Sequence, residues 1–181
     1  MKTQQVILPE HSILFNRKFD YSDSYKIVID DVQGSIDSID VGKAFFSSTP
    51  KWVESLFKFR NLLAALFNLK TGEKAKSQKE IIQYFKGQVG EKIGLFQVFE
   101  RSASELILGE DDRHLDFRVS LLLGQEHNGL RDLTISTTVS FNNWLGKVYF
   151  FPVKPFHKLI VPSMLKGTLK ELENGLSPLQ K

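Results

Sequence analysis

The sequence contains no cysteine among its 181 residues. It therefore cannot form a disulfide scaffold, a thiolate zinc site or a cysteine nucleophile. A chain of this length does not need cross-links, because a domain of about 150 residues already buries roughly 70% of its unfolded surface. We expect a single domain over residues 1–181 that folds by hydrophobic burial in a reducing compartment.

Long apolar runs and targeting segments are also missing. Residues 1–23 carry charges throughout and contain no apolar core of signal-peptide length. Nowhere does the chain run for the ~20 predominantly apolar, uncharged residues that a membrane-spanning helix needs. These absences favour a cytoplasmic protein.

The motifs of the common enzyme classes are absent as well. The sequence has no glycine-rich phosphate loop, no dinucleotide fingerprint, no G-x-S-x-G elbow and no H-E-x-x-H helix. This disfavours the common kinases, dehydrogenases and hydrolases, and we expect no cofactor. The net charge of +3 is too small to indicate a nucleic-acid partner.

Phenylalanine, in contrast, is abundant. The chain has 15 Phe, and 41% of its residues are hydrophobic while an ordinary 25% are charged. Much of the phenylalanine must therefore be inside the fold. Bulky rings either fill a solid core or line a cavity, and composition leaves both alternatives open.

The N-terminal part of the chain predicts an arm followed by a strand. Residues 1–23 show no sustained hydrophobic period, and we interpret them as an irregular arm that lies over the domain. Tyr25, Ile27 and Ile29 alternate with the residues between them, which predicts a strand over residues 24–30 with one buried face.

Two helices are predicted after this strand. Ser38 or Asp40 can cap the first, which ends near Ser47. Thr49 and Pro50 begin the second as its N-cap and its first helical residue. The second helix carries an apolar stripe at spacings of three and four, formed by Trp52, Leu56, Phe59, Leu63 and Leu66.

Four further strands are predicted, over residues 93–100, 103–108, 113–123 and 130–141. The connections between them are short. Such connections force antiparallel neighbours, because a parallel crossover needs a dozen or more residues. The pattern therefore predicts an antiparallel meander.

Alternation divides the last two of these strands into an apolar face and a polar face. We interpret the polar face as solvated, since antiparallel sheets commonly pack on one side only. The apolar face comprises Leu115, Phe117, Val119, Leu121, Leu133, Ile135, Thr137, Val139 and Phe141, and the polar face comprises His114, Asp116, Arg118, Ser120, Asp132, Thr134, Ser136, Thr138 and Ser140.

The final segment predicts helix interrupted by proline. Asn142 and Asn143 can cap its start, and apolar residues recur near helical spacing beyond them. A proline inside a helix removes a backbone hydrogen bond and clashes with the preceding turn. We therefore expect a break near Pro152 and Pro155, followed by a second helix that extends to about Glu173.

The order of strand, two helices, meander and C-terminal helix resembles the helix-grip fold of the START/Bet v 1-like (SRPBCC) superfamily. The strings PKWVESLFKFRNLL, LGEDDRHLDFRVSLL and STTVSFNNWLGKVYFFPVKPFHKLIVPSML resemble an uncharacterised bacterial domain-of-unknown-function family assigned to that superfamily. The resemblance covers residues 27–166. It implies an α+β fold in which a curved antiparallel sheet wraps a long C-terminal helix around a cavity, and it implies no particular activity.

Residues 109–118 are the segment densest in ionisable groups, and three interpretations stay open. The first is a charged hairpin with cross-strand ion pairs. In the second, Arg113 lies on the apolar side of its strand and pairs with a ligand carboxylate at the mouth of the interior. The third is a metal site formed by Asp112, His114 and Asp116. No other histidine or acid cluster completes that site, and we expect no metal.

Arg60 lies in an otherwise apolar helix and is a second candidate. Its guanidinium either reaches water along its stem or pairs with an anionic ligand or with a carboxylate of the acidic segment, because an unpaired buried guanidinium is costly. His157 and Trp144 are weaker candidates for ligand contact, and core or surface packing of the last segment is the favoured interpretation of each.

The favoured functional hypothesis is a protein that binds a small apolar or amphipathic molecule in a cavity beneath the last helix. One alternative is a small cyclase- or dehydratase-type enzyme on the same cavity, with His114 or Asp116 as general base. A less favoured alternative is docking of the lysine- and aromatic-rich final segment on a membrane surface or a partner. We expect ligand binding by Trp52, Arg60, Arg113, Leu115, Phe117, Ile135 and Phe156.

Overall fold

A computed structural model describes residues 2–48 and 82–176 of the chain. Within these ranges the fold is α+β. Its strands are β1 (Gln4–Val6), β2 (Tyr21–Asp30), β3 (Lys92–Ile93), β4 (Phe96–Arg101), β5 (Glu105–Asp111), β6 (Leu115–Leu123) and β7 (Leu130–Phe141), and its helices are α1 (Ser38–Ser47) and α2 (Trp144–Leu176).

The seven strands form one curved, unclosed antiparallel sheet in the order β1-β2-β7-β6-β5-β4-β3. The long helix α2 contacts β2 and β7, and α1 also packs against it. This arrangement is consistent with a helix-grip fold. The predicted antiparallel meander is confirmed by β4 to β7, and the boundaries of β7 are those expected from alternation. We call the sheet face towards α2 the inner face and the opposite one the outer face.

The first long strand begins earlier than alternation predicts. β2 starts at Tyr21 rather than at residue 24, because its register against β7 pairs Tyr21 with Val139 and Asp23 with Thr137. A short strand, β1, also forms at the edge of the sheet within the segment that we expected to be irregular throughout. Backbone pairing therefore orders parts of the arm that carry no hydrophobic period.

The first predicted helix is confirmed, with a different cap. Asp37, not Ser38 or Asp40, is the N-cap of α1, and its carboxylate accepts hydrogen bonds from the backbone N–H groups of Ile39 and Asp40. Asp40 in turn accepts from the Asp37 N–H, which completes a capping box. The second predicted helix, which begins at Thr49, lies outside the described residues.

The expectation that the polar sheet face is solvated is wrong. On the outer face Ser120 and Ser136 are fully buried, and Thr134 and Thr138 are buried as well. The cover is the N-terminal arm, whose Leu8 and Leu14 cluster with Ile107 of β5. Serine and threonine side chains are small and can hydrogen-bond under such a cover, as Ser24 does with Ser136 at 2.8 Å.

Glu105 fastens this arm to the sheet. Its side chain is buried and accepts three hydrogen bonds, from Ser12 Oγ at 2.6 Å, from the Ile13 backbone N–H at 2.8 Å and from Ser120 Oγ at 2.5 Å. A buried carboxylate requires such donors, since an unsatisfied one costs several kcal/mol. The arm therefore packs in one defined position over the outer face.

The predicted break at the prolines is also wrong, because α2 is continuous from Trp144 to Leu176. Pro152, Pro155 and Pro162 each remove the hydrogen bond to the carbonyl four residues earlier. Those carbonyls belong to Val148, Phe151 and Lys158, which all lie on the exposed side of the helix. Water can therefore hydrate them, while the opposite side stays packed on the sheet.

The start of α2 is fixed to the turn before β6. Asn143 caps the helix, as expected, by accepting a hydrogen bond from the Gly146 N–H at 3.2 Å. Asn143 also contacts the ring of His114, whose backbone carbonyl accepts from the Asn142 N–H at 2.9 Å. A Cβ atom at Gly146 would lie 2.1 Å from that same carbonyl oxygen. Glycine is therefore needed where helix and turn meet.

Candidate functional site

A cavity of about 210 Å³ lies between the inner face of the sheet and α2. Five phenylalanine side chains contribute to its wall, and other phenylalanines are packed in the hydrophobic core. The phenylalanines of the sequence therefore both fill the core and line a cavity. The wall is apolar except for the polar groups of Thr137, Tyr149 and His157. It is formed by Phe45, Leu95, Phe96, Leu115, Phe117, Val119, Ile135, Thr137, Val139, Tyr149, Phe150, Val153, Phe156, His157, Ile160, Val161 and Met164.

Thr137 and His157 of the cavity wall adjoin a hydrogen-bonded cluster centred on Asp23. The carboxylate oxygen Oδ2 accepts from the Tyr21 hydroxyl at 2.8 Å and from His157 Nδ1 at 3.0 Å. Asp23 is 6% exposed, so both bonds lie in a largely dehydrated setting. Lys154 adds a positive charge 5.0 Å from the centre of the Tyr21 ring. We call Tyr21, Asp23, Thr137 and His157 the polar corner.

Two buried oxygens of the polar corner lack a hydrogen-bond partner among the described residues. They are Asp23 Oδ1 and Thr137 Oγ1. Asp23 and Thr137 are directly opposite each other in the β2–β7 register, and Thr137 is 3% exposed and lines the cavity. Buried polar atoms nearly always make a hydrogen bond, so these two oxygens are candidates to bind a further polar group.

The two tyrosines beside Asp23 are held in their neutral form. Burial raises the pKa of Tyr21, and its hydrogen bond to Asp23 and the charge of that residue raise it further. Burial, followed by the charge of Asp23, also raises the pKa of Tyr25. The Tyr21 hydroxyl therefore keeps its proton and remains a donor to Asp23 across the neutral pH range.

Four of the residues predicted to bind a ligand line the cavity together. These are Leu115 and Phe117 of β6, Ile135 of β7 and Phe156 of α2. They come from three elements. Because side chains alternate along a strand, the three strand residues all point to the inner face of the sheet. Contact with a ligand stays a prediction for all of them. Trp52 and Arg60 lie outside the described residues.

Arg113 does not line the cavity. β6 begins two residues later, so the alternation that would point Arg113 inward does not extend to it, and its side chain is exposed on the turn. Arg118 of this segment makes an ion pair with Asp111, and its guanidinium stacks 3.5 Å from the centre of the Phe99 ring.

The acidic segment organises the turn before β6. Asp112 Oδ1 accepts from the His114 N–H, and Asp116 Oδ1 accepts from the Asp112 N–H and from Asn142 Nδ2. Over residues 2–48 and 82–176, no three His, Cys, Asp or Glu side chains are grouped closely enough to hold a metal ion. Neither His114 nor Asp116 lines the cavity, and this removes the geometric basis for either as the general base of a reaction there.

Replacing Arg113 by alanine is expected to change the free energy of unfolding by no more than about 0.5 kcal/mol, since an exposed side chain contributes little to packing. Arg118→Ala is the matched comparison. It should cost about 2 kcal/mol, because it removes a half-buried guanidinium that pairs with Asp111. Urea denaturation of both variants measures the difference. A loss of about 3 kcal/mol for Arg113→Ala would mean that its guanidinium is buried and paired.

Sequence reasoning missed most of the polar corner. The sequence pattern places Asp23 in the arm, one residue before the predicted strand, and favours packing for His157. It places Thr137 on the correct face but gives it no role. The available signal was alternation: extending the period of Tyr25 and Ile27 backwards puts Asp23 and Tyr21 on the same inner face.

The outer side of α2 carries exposed apolar side chains. Trp144, Phe151 and Leu159 are 69%, 81% and 63% exposed, respectively. No helix among the described residues has both the length and the hydropathy that a membrane crossing requires. Docking of this segment on a membrane surface or a partner stays a hypothesis.

Comparison with known proteins identifies one relationship. A family model described as a protein of unknown function (DUF2867) matches residues 15–164. This range includes β2, the meander and the part of α2 that lines the cavity. No curated protein and no solved structure matches the chain.

Proposed function

The chain belongs to the DUF2867 family, and we propose that it binds a small apolar or amphipathic molecule in the cavity between sheet and α2. The cavity with its adjoining polar corner is the observation that supports this proposal. Small-molecule sites are typically concave, largely apolar and furnished with a small number of convergent polar groups. The described cavity has each of these properties.

The proposed ligand is the size of one aromatic ring with short substituents. An engineered cavity of about 150 Å³ holds benzene, and the cavity here has about 210 Å³. Aromatic and branched side chains surround it, and they favour a flat or compact apolar molecule over a long flexible chain. Arg113 takes no part, because it lies on the outside of the turn.

We further propose that the family is related to the START/SRPBCC superfamily. A sheet that grips a long C-terminal helix supports this relationship, as does a cavity between the two. Fold-level likeness does not identify a ligand or a reaction. The functional proposal therefore depends on the cavity and not on the superfamily.

Binding of p-xylene tests the proposal. At 100 times its dissociation constant, a ligand of the native state alone adds about 2.7 kcal/mol of stability. We expect Ile160→Trp to weaken this effect strongly, because Ile160 lines the cavity and a larger side chain would fill it. Leu159→Trp is the control, since Leu159 is on the exposed side of the same helix.

Differential scanning fluorimetry and urea denaturation with p-xylene measure both effects. The proposal predicts stabilisation of the parent chain and of Leu159→Trp, with a much smaller effect on Ile160→Trp. Equal stabilisation of all three proteins would place the bound molecule elsewhere. No stabilisation by p-xylene, indole or naphthalene would contradict the proposal.

A second candidate function, acid–base catalysis in the same cavity, is favoured by one observation. The carboxylate of Asp23 accepts from His157 Nδ1, which leaves the other ring nitrogen, Nε2, to exchange a proton. A cyclase or dehydratase needs such a base beside a bound carbonyl compound. Turnover of a bound carbonyl compound that is lost in His157→Gln, while its binding persists, would support this candidate.

A further inference from the structure

We propose that the polar corner recognises a neutral hydroxyl group on the ligand, so that the preferred ligands are ring-sized alcohols or phenols and not carboxylates. This inference rests on the proposed function, because it assigns the polar end of the molecule that the cavity takes up. It reverses the polarity expected from the sequence, in which an arginine would bind an anionic end.

The first support is the hydrogen-bonding state of Asp23. Its oxygen Oδ2 already accepts from Tyr21 and His157, whereas Oδ1 has no partner within the described ranges. A carboxylate is an acceptor only, so the group that satisfies Oδ1 must be a donor. Leaving the oxygen unsatisfied in a buried place costs free energy, which a suitable ligand recovers on binding.

The second support is the position of Thr137. It faces Asp23 across the β2–β7 pair, and side chains of directly opposite residues lie with their Cβ atoms about 4.5–5.5 Å apart. Thr137 lines the cavity, and its hydroxyl is buried without a partner among the described residues. A threonine hydroxyl can donate and accept. One ligand hydroxyl can therefore donate to Asp23 Oδ1 and accept from Thr137 Oγ1.

The same geometry disfavours charged ligands. A ligand carboxylate would bring a second negative charge against Asp23 in an apolar cavity, where like charges repel strongly. A ligand ammonium would lose its hydration in that cavity, and Lys154 already places a positive charge beside Tyr21. A neutral hydroxyl makes both hydrogen bonds without either cost.

Calorimetric titration with four ring compounds tests the inference at neutral pH. The probes are p-cresol, p-xylene, benzoate and benzylamine, which share a ring and differ in the polar group. We expect p-cresol to bind at least about tenfold more tightly than p-xylene, as hydrogen bonds to a charged acceptor contribute that much. Benzoate and benzylamine should bind more weakly than p-cresol.

Substitutions of Thr137 link the selectivity to the polar corner. In Thr137→Val the ratio of the p-xylene to the p-cresol dissociation constant should fall about fivefold, because one of the two hydrogen bonds is lost. Thr137→Ser keeps the hydroxyl and should keep the ratio. Thr138→Val is the control, since Thr138 is buried on the outer face of the same strand.

The outcomes separate this inference from the proposed function. If p-xylene and p-cresol bind equally well and Thr137→Val changes nothing, the cavity binds ligands but the hydroxyl assignment is wrong. Tighter binding of benzoate or benzylamine than of p-cresol would also overturn it. If none of the compounds binds, the proposed function itself fails.

Discussion

Glu105→Ala is expected to lower the free energy of unfolding by about 3 kcal/mol or more, because it leaves three donors, two of them buried hydroxyls, without an acceptor. Those donors belong to Ser12 and Ile13 of the arm and to Ser120 of β6. Loss of these three hydrogen bonds would release the arm from the outer face. It would also expose the apolar cluster to which Leu14 belongs.

Urea denaturation and amide hydrogen exchange measure this effect. Glu10→Ala is the control, since Glu10 lies on the same arm and is exposed, and it should change stability by less than about 0.5 kcal/mol. The Ile13 amide should exchange faster in Glu105→Ala. In a double-mutant cycle, Ser12→Ala should show a coupling energy with Glu105→Ala of about 1 kcal/mol or more. Unchanged stability and exchange would mean that the arm does not depend on Glu105.

Gly146→Ala is expected to destabilise the protein by about 2 kcal/mol or more, although alanine is the better helix former by about 1 kcal/mol. The new Cβ atom would meet the His114 carbonyl oxygen at 2.1 Å, and backbone atoms cannot move aside as a flexible side chain can. The first turn of α2 must then separate from the turn before β6, together with the cap that Asn143 provides.

Gly175→Ala is the matched control for this prediction. Gly175 lies in the same helix, and a Cβ atom there meets no atom within 4 Å. That variant should be as stable as the parent chain or slightly more stable. Thermal unfolding of both variants measures the difference, and equal stability of the two would contradict the close contact at Gly146.

The fold class was predictable because the sequence contains strong periodic signals. Short connections required an antiparallel meander, and alternation gave β7 its boundaries. The break predicted at the prolines of α2 is wrong, because proline breaks an isolated helix but packing against the sheet can hold a proline-containing helix together. Here the freed carbonyls face water, and the buried side, including Leu165 and Leu169, keeps the helix on the sheet.

The outer face was mispredicted for a related reason. A strand with polar residues at every second position is typical of a solvated face, and nothing in the strands themselves indicates a cover. The cover comes from the arm, which is distant in sequence and has no period of its own. Glu105 fixes it through hydrogen bonds that only the folded chain brings together.

The candidate site was predictable in part. Inner-face alternation correctly grouped Leu115, Phe117 and Ile135 on the side that lines the cavity. The polar corner was not predicted, since Asp23 and His157 are 134 residues apart and meet only through the sheet and α2. The dense charges of residues 109–118 favoured Arg113 instead, although exposed charge is common and a buried carboxylate such as Asp23 is the rarer feature.

A crystal structure of the protein with 4-bromophenol would locate the bound ring, because anomalous scattering identifies the position of the bromine without ambiguity. We expect the ring to lie between the sheet and α2, with its hydroxyl oxygen within roughly 3 Å of Asp23 Oδ1 and Thr137 Oγ1. A cavity filled by protein side chains, or a ring bound only outside it, would contradict ligand binding between the sheet and α2.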